Sequence, residues 1–284
     1  MFKHFIITRF NLPSADWNKN KNKKSVLTDE WHTKRFKVFK DFCFSSVAAQ
    51  TNKNFEWLVF FDTNTPVKFK EIIVKLESEF KNFSPVFVDD MSYFLPTIQS
   101  YIAKCKEDYI ITSRLDNDDC ISKFYIEEIQ KRFDNQNFMA IDFVDGYTVQ
   151  TQPSVKIGKR WDQYNPFISL IEKNKNPRSV WFVTRHSHWK RENNILQIRN
   201  IRIWSSVIHD ENFTNSFYGY GNALPSEFFE NFKISEVKRN HILENIIPYE
   251  NWKKESLNNY LYSFWNYTAK KLKKKLGFYK YKKN

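Results

Sequence analysis

The chain has 284 residues, of which 41% are hydrophobic and 18% aromatic, with only 5 glycines and 3 cysteines. That is ample apolar material for one large α/β domain, and it excludes wholesale disorder, collagen-like repeats and Gly-rich phosphate loops. Basic residues exceed acidic ones by 45 − 32 = 13, but eight of the lysines follow Glu255, the last acid, leaving 13 − 8 = 5 for the body.

The dispersed cysteines, Cys43, Cys105 and Cys120, imply neither a disulfide framework nor a CxxC metal site, and suit a reducing cytoplasm. The longest apolar run, Trp57 to Phe61, falls far below the ~20 residues that span a bilayer. Asn and Lys crowd Asn18–Lys24, where a secretory signal would be apolar. A soluble, cytoplasmic, globular protein is expected.

In chain order, His4–Arg9 predicts a buried strand. Thr28 predicts an N-cap, with Asp29 and Glu30 in the first helical turn. Trp31, Phe36, Phe39, Phe42 and Val47 carry that helix toward Gln50. Phe55–Phe61 predicts the clearest buried strand, ending at Asp62. A helix over Phe69–Phe80 and a strand over Pro85–Val88 follow, then a helix over Ser100–Lys106 and a strand over Tyr109–Ser113. Ser122–Phe133 predicts a helix and Phe138–Val144 a strand turning at Asp145–Gly146. Such alternation predicts an α/β fold, its mostly parallel sheet covered by helices on both faces. From about Thr151 the pattern becomes irregular. In Ser256–Asn284, Leu257, Leu261, Phe264, Trp265, Leu272 and Leu276 recur at helical spacing among lysines. Two readings fit that segment: a helix lying on an anionic membrane surface, or one docked on the body through Leu257–Trp265 with a solvated basic end.

Several strands end in polar or acidic residues: Thr8 and Arg9, then Asp62, then Asp89 and Asp90, then Arg114 and Asp116–Asp119. In open α/β sheets the ligand crevice lies outside those ends. Four acids there repel one another unless a cation joins them, which predicts a divalent metal, Mn²⁺ or Mg²⁺, with a phosphate ligand. The sharpest signal is Ile110–Cys120, IITSRLDNDDC. Its carboxylates two apart can serve one ligand, although an Asp/Asn-rich turn capping the next helix gives the same residues. Arg9 and Arg114 offer guanidinium forks to phosphate.

The order HFIITRFN, SVAAQTNKNFEWLVFFD, DYIITSRLDNDD and WSSVIHDEN resembles the rhamnosyltransferases of bacterial polysaccharide synthesis, GT-A-fold nucleotide-sugar glycosyltransferases. The likeness covers most of residues 1–215. It implies a GT-A-like (Rossmann-like) fold, with 1–150 binding the nucleotide-sugar, 151–250 forming the acceptor side of the same domain, and 251–284 a basic amphipathic segment. It implies that Asp62 meets the base or ribose, Asp116 the ribose, and Asp118 the metal–diphosphate unit, with Asp119 supporting it or the sugar. Thr8 and Asp89 join the donor set from their strand ends. The second strand departs from the DDGS of many such enzymes, ending DTNTP. GT-A enzymes often close the metal or diphosphate site with a downstream His, which points to His209. An inverting transfer needs a general base, for which Asp145 and Asp210 (or Glu211) are candidates; Asp145 beside Gly146 is equally a turn residue. His186 and His188 form an HxH crowded by Arg185, Lys190 and Arg191, favouring an anion-binding or acceptor-side loop over a metal. His4, His32 and His241 read as structural, and Trp161, Trp181, Trp189 and Trp204 as core unless they stack on acceptor sugars.

The expected function is therefore metal-dependent transfer of a sugar, such as rhamnose, from a nucleotide-diphosphate donor to a saccharide or lipid-linked acceptor at the cytoplasmic membrane face. Two alternatives stand beside it. A nucleotidyltransferase would carry a Gly-rich loop after the first strand, where Asn11–Lys24 has no Gly. A nucleic-acid-binding module would spread its positive charge over the body.

Overall fold

The computed structural model describes residues 1–14, 27–210, 212 and 216–279. Asn18–Lys24, Glu211, Lys280, Tyr281, Lys282 and Lys283 lie outside the described residues.

The first half alternates as its pattern predicts. β1 (Phe2–Arg9) leads to α1 (Asp29–Val38), capped by the Thr28 hydroxyl accepting from Trp31 N–H, and the helix runs on through a π-turn into α2 (Ser45–Ala48). Then come β2 (Glu56–Asp62), α3 (Val67–Glu79), β3 (Phe83–Val88), α4 (Met91–Ile102), β4 (Tyr109–Arg114), β5 (Cys120–Ile121), α5 (Tyr125–Gln130) and β6 (Phe138–Phe143). The fourth helix lies earlier than the predicted 100–106. The Asp90 carboxylate caps it by accepting from Ser92 N–H, and the helix carries Pro96 inside it. The fifth is shorter than the predicted 122–133 at both ends.

The second half supplies β7 (Asp145–Gln150), β8 (Lys156–Trp161), β9 (Ser169–Lys173), β10 (Ile195–Ile198) and β11 (Trp204–Ile208), then α6 (Pro225–Asn231), α7 (Glu236–Asn245) and α8 (Lys253–Lys275). The main sheet has the order β10-β6-β9-β4-β1-β2-β3, antiparallel only where β9 meets β4 and β6. The expected α/β class with a mostly parallel, helix-flanked sheet is what the chain forms. Since β9 and β10 enter this sheet, a division near residue 150 cuts through it.

Near-continuous apolar strands follow from cover on both faces. Ile6, Trp57, Val59 and Phe61 pack under α1 and α3 with Phe36, Phe39, Phe69 and Ile73. Their alternating neighbours Phe5, Ile7, Leu58 and Phe60 pack on the other face with Phe94, Ile98, Trp181 and Trp189. A smaller sheet, β5-β11-β7-β8, crosses beside it. Asp145–Gly146 is thus no turn: it opens β7, which pairs with β11 in parallel and β8 antiparallel.

Helix α8 seats through polar residues. Ser256 Oγ accepts from Gly221 N–H, Asn259 Nδ2 donates to Gly219 O, and Glu255 pairs with Lys156 at 2.8 Å. The segment Leu257–Trp265 docks, but through Asn259, buried Ser263 and Tyr260, whose ring lies 5.5 Å from Trp161 and 5.4 Å from Tyr220. Its expected apolar contacts face outward, with Leu257 58% and Trp265 67% exposed and Leu261, Phe264, Leu272 and Leu276 also exposed.

Candidate active site

β1 and β4 are parallel neighbours, so their carboxyl ends open side by side. There a cavity of about 660 Å³ is bounded by Arg9, Arg114, Asp116, Asp118 and Asp119, as the strand-end pattern predicts. The turn after β4 is pinned by Asn117, whose Nδ2 donates to Arg9 O and Phe10 O at 3.1 and 2.7 Å. That tie fixes where the flanking carboxylates point.

Arg114 lies 4.0 Å over the Trp181 ring, donates to Thr184 O at 3.2 Å and reaches Asp116 Oδ1 at 3.4 Å. Arg9 approaches the same ring at 6.0 Å. Burial, with help from the like charge of Arg114, draws Arg9 below the usual guanidinium range against the pull of Asp116 and Asp118. Trp181 is thus core, as its type suggests, and also the platform for both cations.

The acids divide. Asp118 Oδ2 accepts from Arg35 Nη1 at 2.8 Å, His209 Nε2 at 3.2 Å and Asn212 Nδ2 at 3.2 Å. Burial alone would raise its pKa, but the Arg35 charge and the His209 hydrogen bond outweigh it and hold Asp118 well below the usual carboxylate range. Asp119 Oδ1 accepts from Val207 N–H at 2.9 Å. Burial, then the charges of Asp118 and Asp116, push Asp119 far up. One wall comes from the smaller sheet: Arg160 of β8 donates to Ser206 Oγ of β11 and pairs with Asp162, which Lys270 of α8 meets at 3.3 Å.

Of the predicted donor residues, Arg9, Arg114, Asp116 and Asp119 line this cavity and the remaining three point elsewhere. Thr8 is fully buried, its Oγ1 accepting from Trp57 Nε1. Asp62 closes its own turn by accepting from Asn64 N–H, and exposed Asp89 accepts from the Thr63 hydroxyl. The two base candidates also lie off the cavity lining. Asp145 is 1% exposed and ion-paired to Arg199 at 2.6 Å and Arg202 at 3.5 Å, while Asp210 is exposed. Those positions argue against proton transfer by either. His186 lines the cavity at the start of a 3₁₀ turn, with Arg185 just before it; His186 Nδ1–H donates to Tyr164 O, and His188 is not among the lining residues, so the HxH does not enter the cavity as a pair.

Arg35 is the residue that spacing analysis missed. It sits at i+4 from Trp31 and i−4 from Phe39, a cation on the apolar stripe of α1, and that is the signal that would have found it. Asp118 and His209 do meet as expected. Among the described residues, however, no three His, Cys, Asp or Glu side chains gather into a metal set, and Arg35 occupies the approach to Asp118. The residues present do not fit a divalent cation as they stand.

The family described as "Putative rhamnosyl transferase" matches residues 3–219. No curated protein sequence matches the chain. Among solved structures, S. aureus TarS 1-349 in complex with UDP is similar at 12% identity and a TM-score of 0.43, over 85% of this chain and 69% of that one. The mannosyltransferase PcManGT from Pyrobaculum calidifontis, in complex with GDP-Man and Mn²⁺, is similar at 6% identity and 0.41, over 74% and 58%. HddC from Yersinia pseudotuberculosis follows at 8% and 0.39, over 70% and 90%.

Proposed function

Because the chain belongs to the rhamnosyl transferase family, a family of glycosyltransferases, we propose that its strand-end cavity takes a nucleotide-sugar by the diphosphate and passes the sugar, rhamnose included, to a saccharide or lipid-linked acceptor. One observation carries this reading: five guanidinium groups (Arg9, Arg35, Arg114, Arg160, Arg185) face four carboxyls in one cavity at the ends of parallel strands. The guanidinium groups outnumber the carboxyls, a balance that favours a phosphoryl anion.

In the transfer, the acceptor oxygen bonds to the anomeric carbon while the anomeric C–O bond to the diphosphate breaks. The bonding pair leaves with the nucleoside diphosphate. The hydroxyl proton passes to an ionised carboxylate of the cavity. Asp116 supplies a ribose contact.

A panel of nucleoside diphosphates and nucleotide-sugars, in buffer with both Mn²⁺ and Mg²⁺, tests the reading by thermal shift. At about 100 times Kd a specific ligand adds about 2.7 kcal/mol, a rise in Tm of about 5 °C for a chain this size. A flat panel would sink the assignment.

The acceptor side bears on α8. No helix among the described residues is long and apolar enough to cross a membrane, yet α8 turns a stripe of Leu257, Leu261, Phe264, Trp265, Leu272 and Leu276 to solvent beside Lys271, Lys273 and Lys275. This supports a peripheral seat on an anionic lipid face at the cytoplasmic side, where lipid-linked acceptors lie. Lys270 then ties the seated helix to Asp162 in the cavity wall. The paired substitution Leu261→Glu and Trp265→Glu is expected to weaken partition onto phosphatidylglycerol vesicles by about 100-fold. Equal flotation of the two proteins would remove α8 from the membrane.

A further inference from the structure

We propose that Arg35 fills, on Asp118, the place a divalent cation would fill, and that the donor diphosphate is gripped by guanidinium groups without a bound metal. The inference rests on the cavity's reading as a nucleoside diphosphate site and deepens it.

Three observations carry it. Asp118 Oδ2 already accepts three donors, from Arg35, His209 and Asn212, so the lone pairs of that oxygen are spent. Second, Arg35 is fixed where it stands: its side chain is 6% exposed, Nη1 also donates to Asn117 Oδ1 at 3.0 Å, and its guanidinium lies 5.2 Å from the Trp31 ring. An incoming cation must displace a buried guanidinium from a carboxylate it meets at 2.8 Å. Third, the job is already done. A divalent ion beside a diphosphate neutralises charge and steadies the leaving group as the C–O bond breaks. Arg9, Arg35 and Arg114 bring three delocalised cations to the same cavity, and such forks match phosphoryl oxygens. The acids that argued for a metal in the sequence are answered by arginines in the fold.

Binding of UDP, GDP and dTDP to the full chain is measured by calorimetry in EDTA and again in Mn²⁺. Affinity of the responding nucleotide should agree within about twofold between the two conditions. Arg35→Gln should lose about 10- to 100-fold, and Arg35→Lys an intermediate amount, in both conditions alike. Because Arg35→Gln leaves Asp118 without its cation, Arg35→Gln/Asp118→Asn serves as the folding control and should bind as weakly as Arg35→Gln. Binding that vanishes in EDTA, or an Arg35→Gln protein that Mn²⁺ restores, would overturn the proposal and leave the glycosyltransferase reading standing. Failure of every nucleotide in both conditions would overturn the two together.

Discussion

Asp118→Ala is expected to lower the stability of the protein by about 3–5 kcal/mol, in addition to removing nucleoside diphosphate binding. The side chain is 13% exposed and accepts from Arg35, His209 and Asn212. Its loss removes the carboxylate that a 6% exposed guanidinium meets at 2.8 Å. Urea unfolding measures the loss, and Asp118→Ala/Arg35→Met should recover most of it, because the double variant removes both charges of the buried pair. A single variant as stable as the parent would show that the pair does not form. The pH dependence has a fixed sign. The folded pKa of Asp118 lies below its unfolded value of about 3.9, so its contribution is complete above that pH and falls away as pH drops further. Parent and variant should therefore differ most near neutrality and converge in acid. Asp119 runs the other way: its raised pKa makes its ionisation a cost that grows as pH rises above about 4, so Asp119→Asn should gain stability at pH 7.

Much of this site was legible because parallel strands bring distant segments together by rule. An apolar run ending in TR and another ending in SRLDNDD must place Arg9, Arg114 and Asp116–Asp119 side by side if the two strands are neighbours, and β1 and β4 are. The same logic overreached at β2 and β3. They lie successively farther from β4 in the sheet, and Asp62 and Asp89 are spent on local turns. Arg35 was hidden for another reason. Its partner stands 83 positions away, and only packing of α1 against the turn after β4 makes the pair. In α8 the periodicity was plain but its direction was not: a hydrogen bond that Ser256 accepts from Gly221 N–H, one that Asn259 donates to Gly219 O, and Tyr260 against Trp161 and Tyr220 seat the other face. Asp-Gly chemistry favours a turn locally, whereas a side chain from β11 decides the matter at Asp145–Gly146.

That side chain gives the second large effect, expected for Gly146→Ala. A methyl carbon there would lie 2.3 Å from Trp204 Cδ2 and Cε2, well inside contact distance. The indole cannot retreat easily. It is 1% exposed, stacks on Phe167 at 4.9 Å and 17°, and its Nε1–H donates to Phe143 O. Overpacking of a filled core costs about 1–3 kcal/mol, and this site, where the obstacle is a locked ring, belongs near the upper figure, a fall in Tm of about 6 °C. Trp204 and Phe167 also border the cavity, so displacing them should weaken nucleoside diphosphate binding in the same variant. Adding Trp204→Leu opens the space the methyl needs. Measured against Trp204→Leu alone, the glycine substitution should then cost less than half of what it costs in the parent. If Gly146→Ala melts with the parent, the glycine is there for some reason other than room for the indole, and β11 is not clamped to β7 in the way its rings indicate.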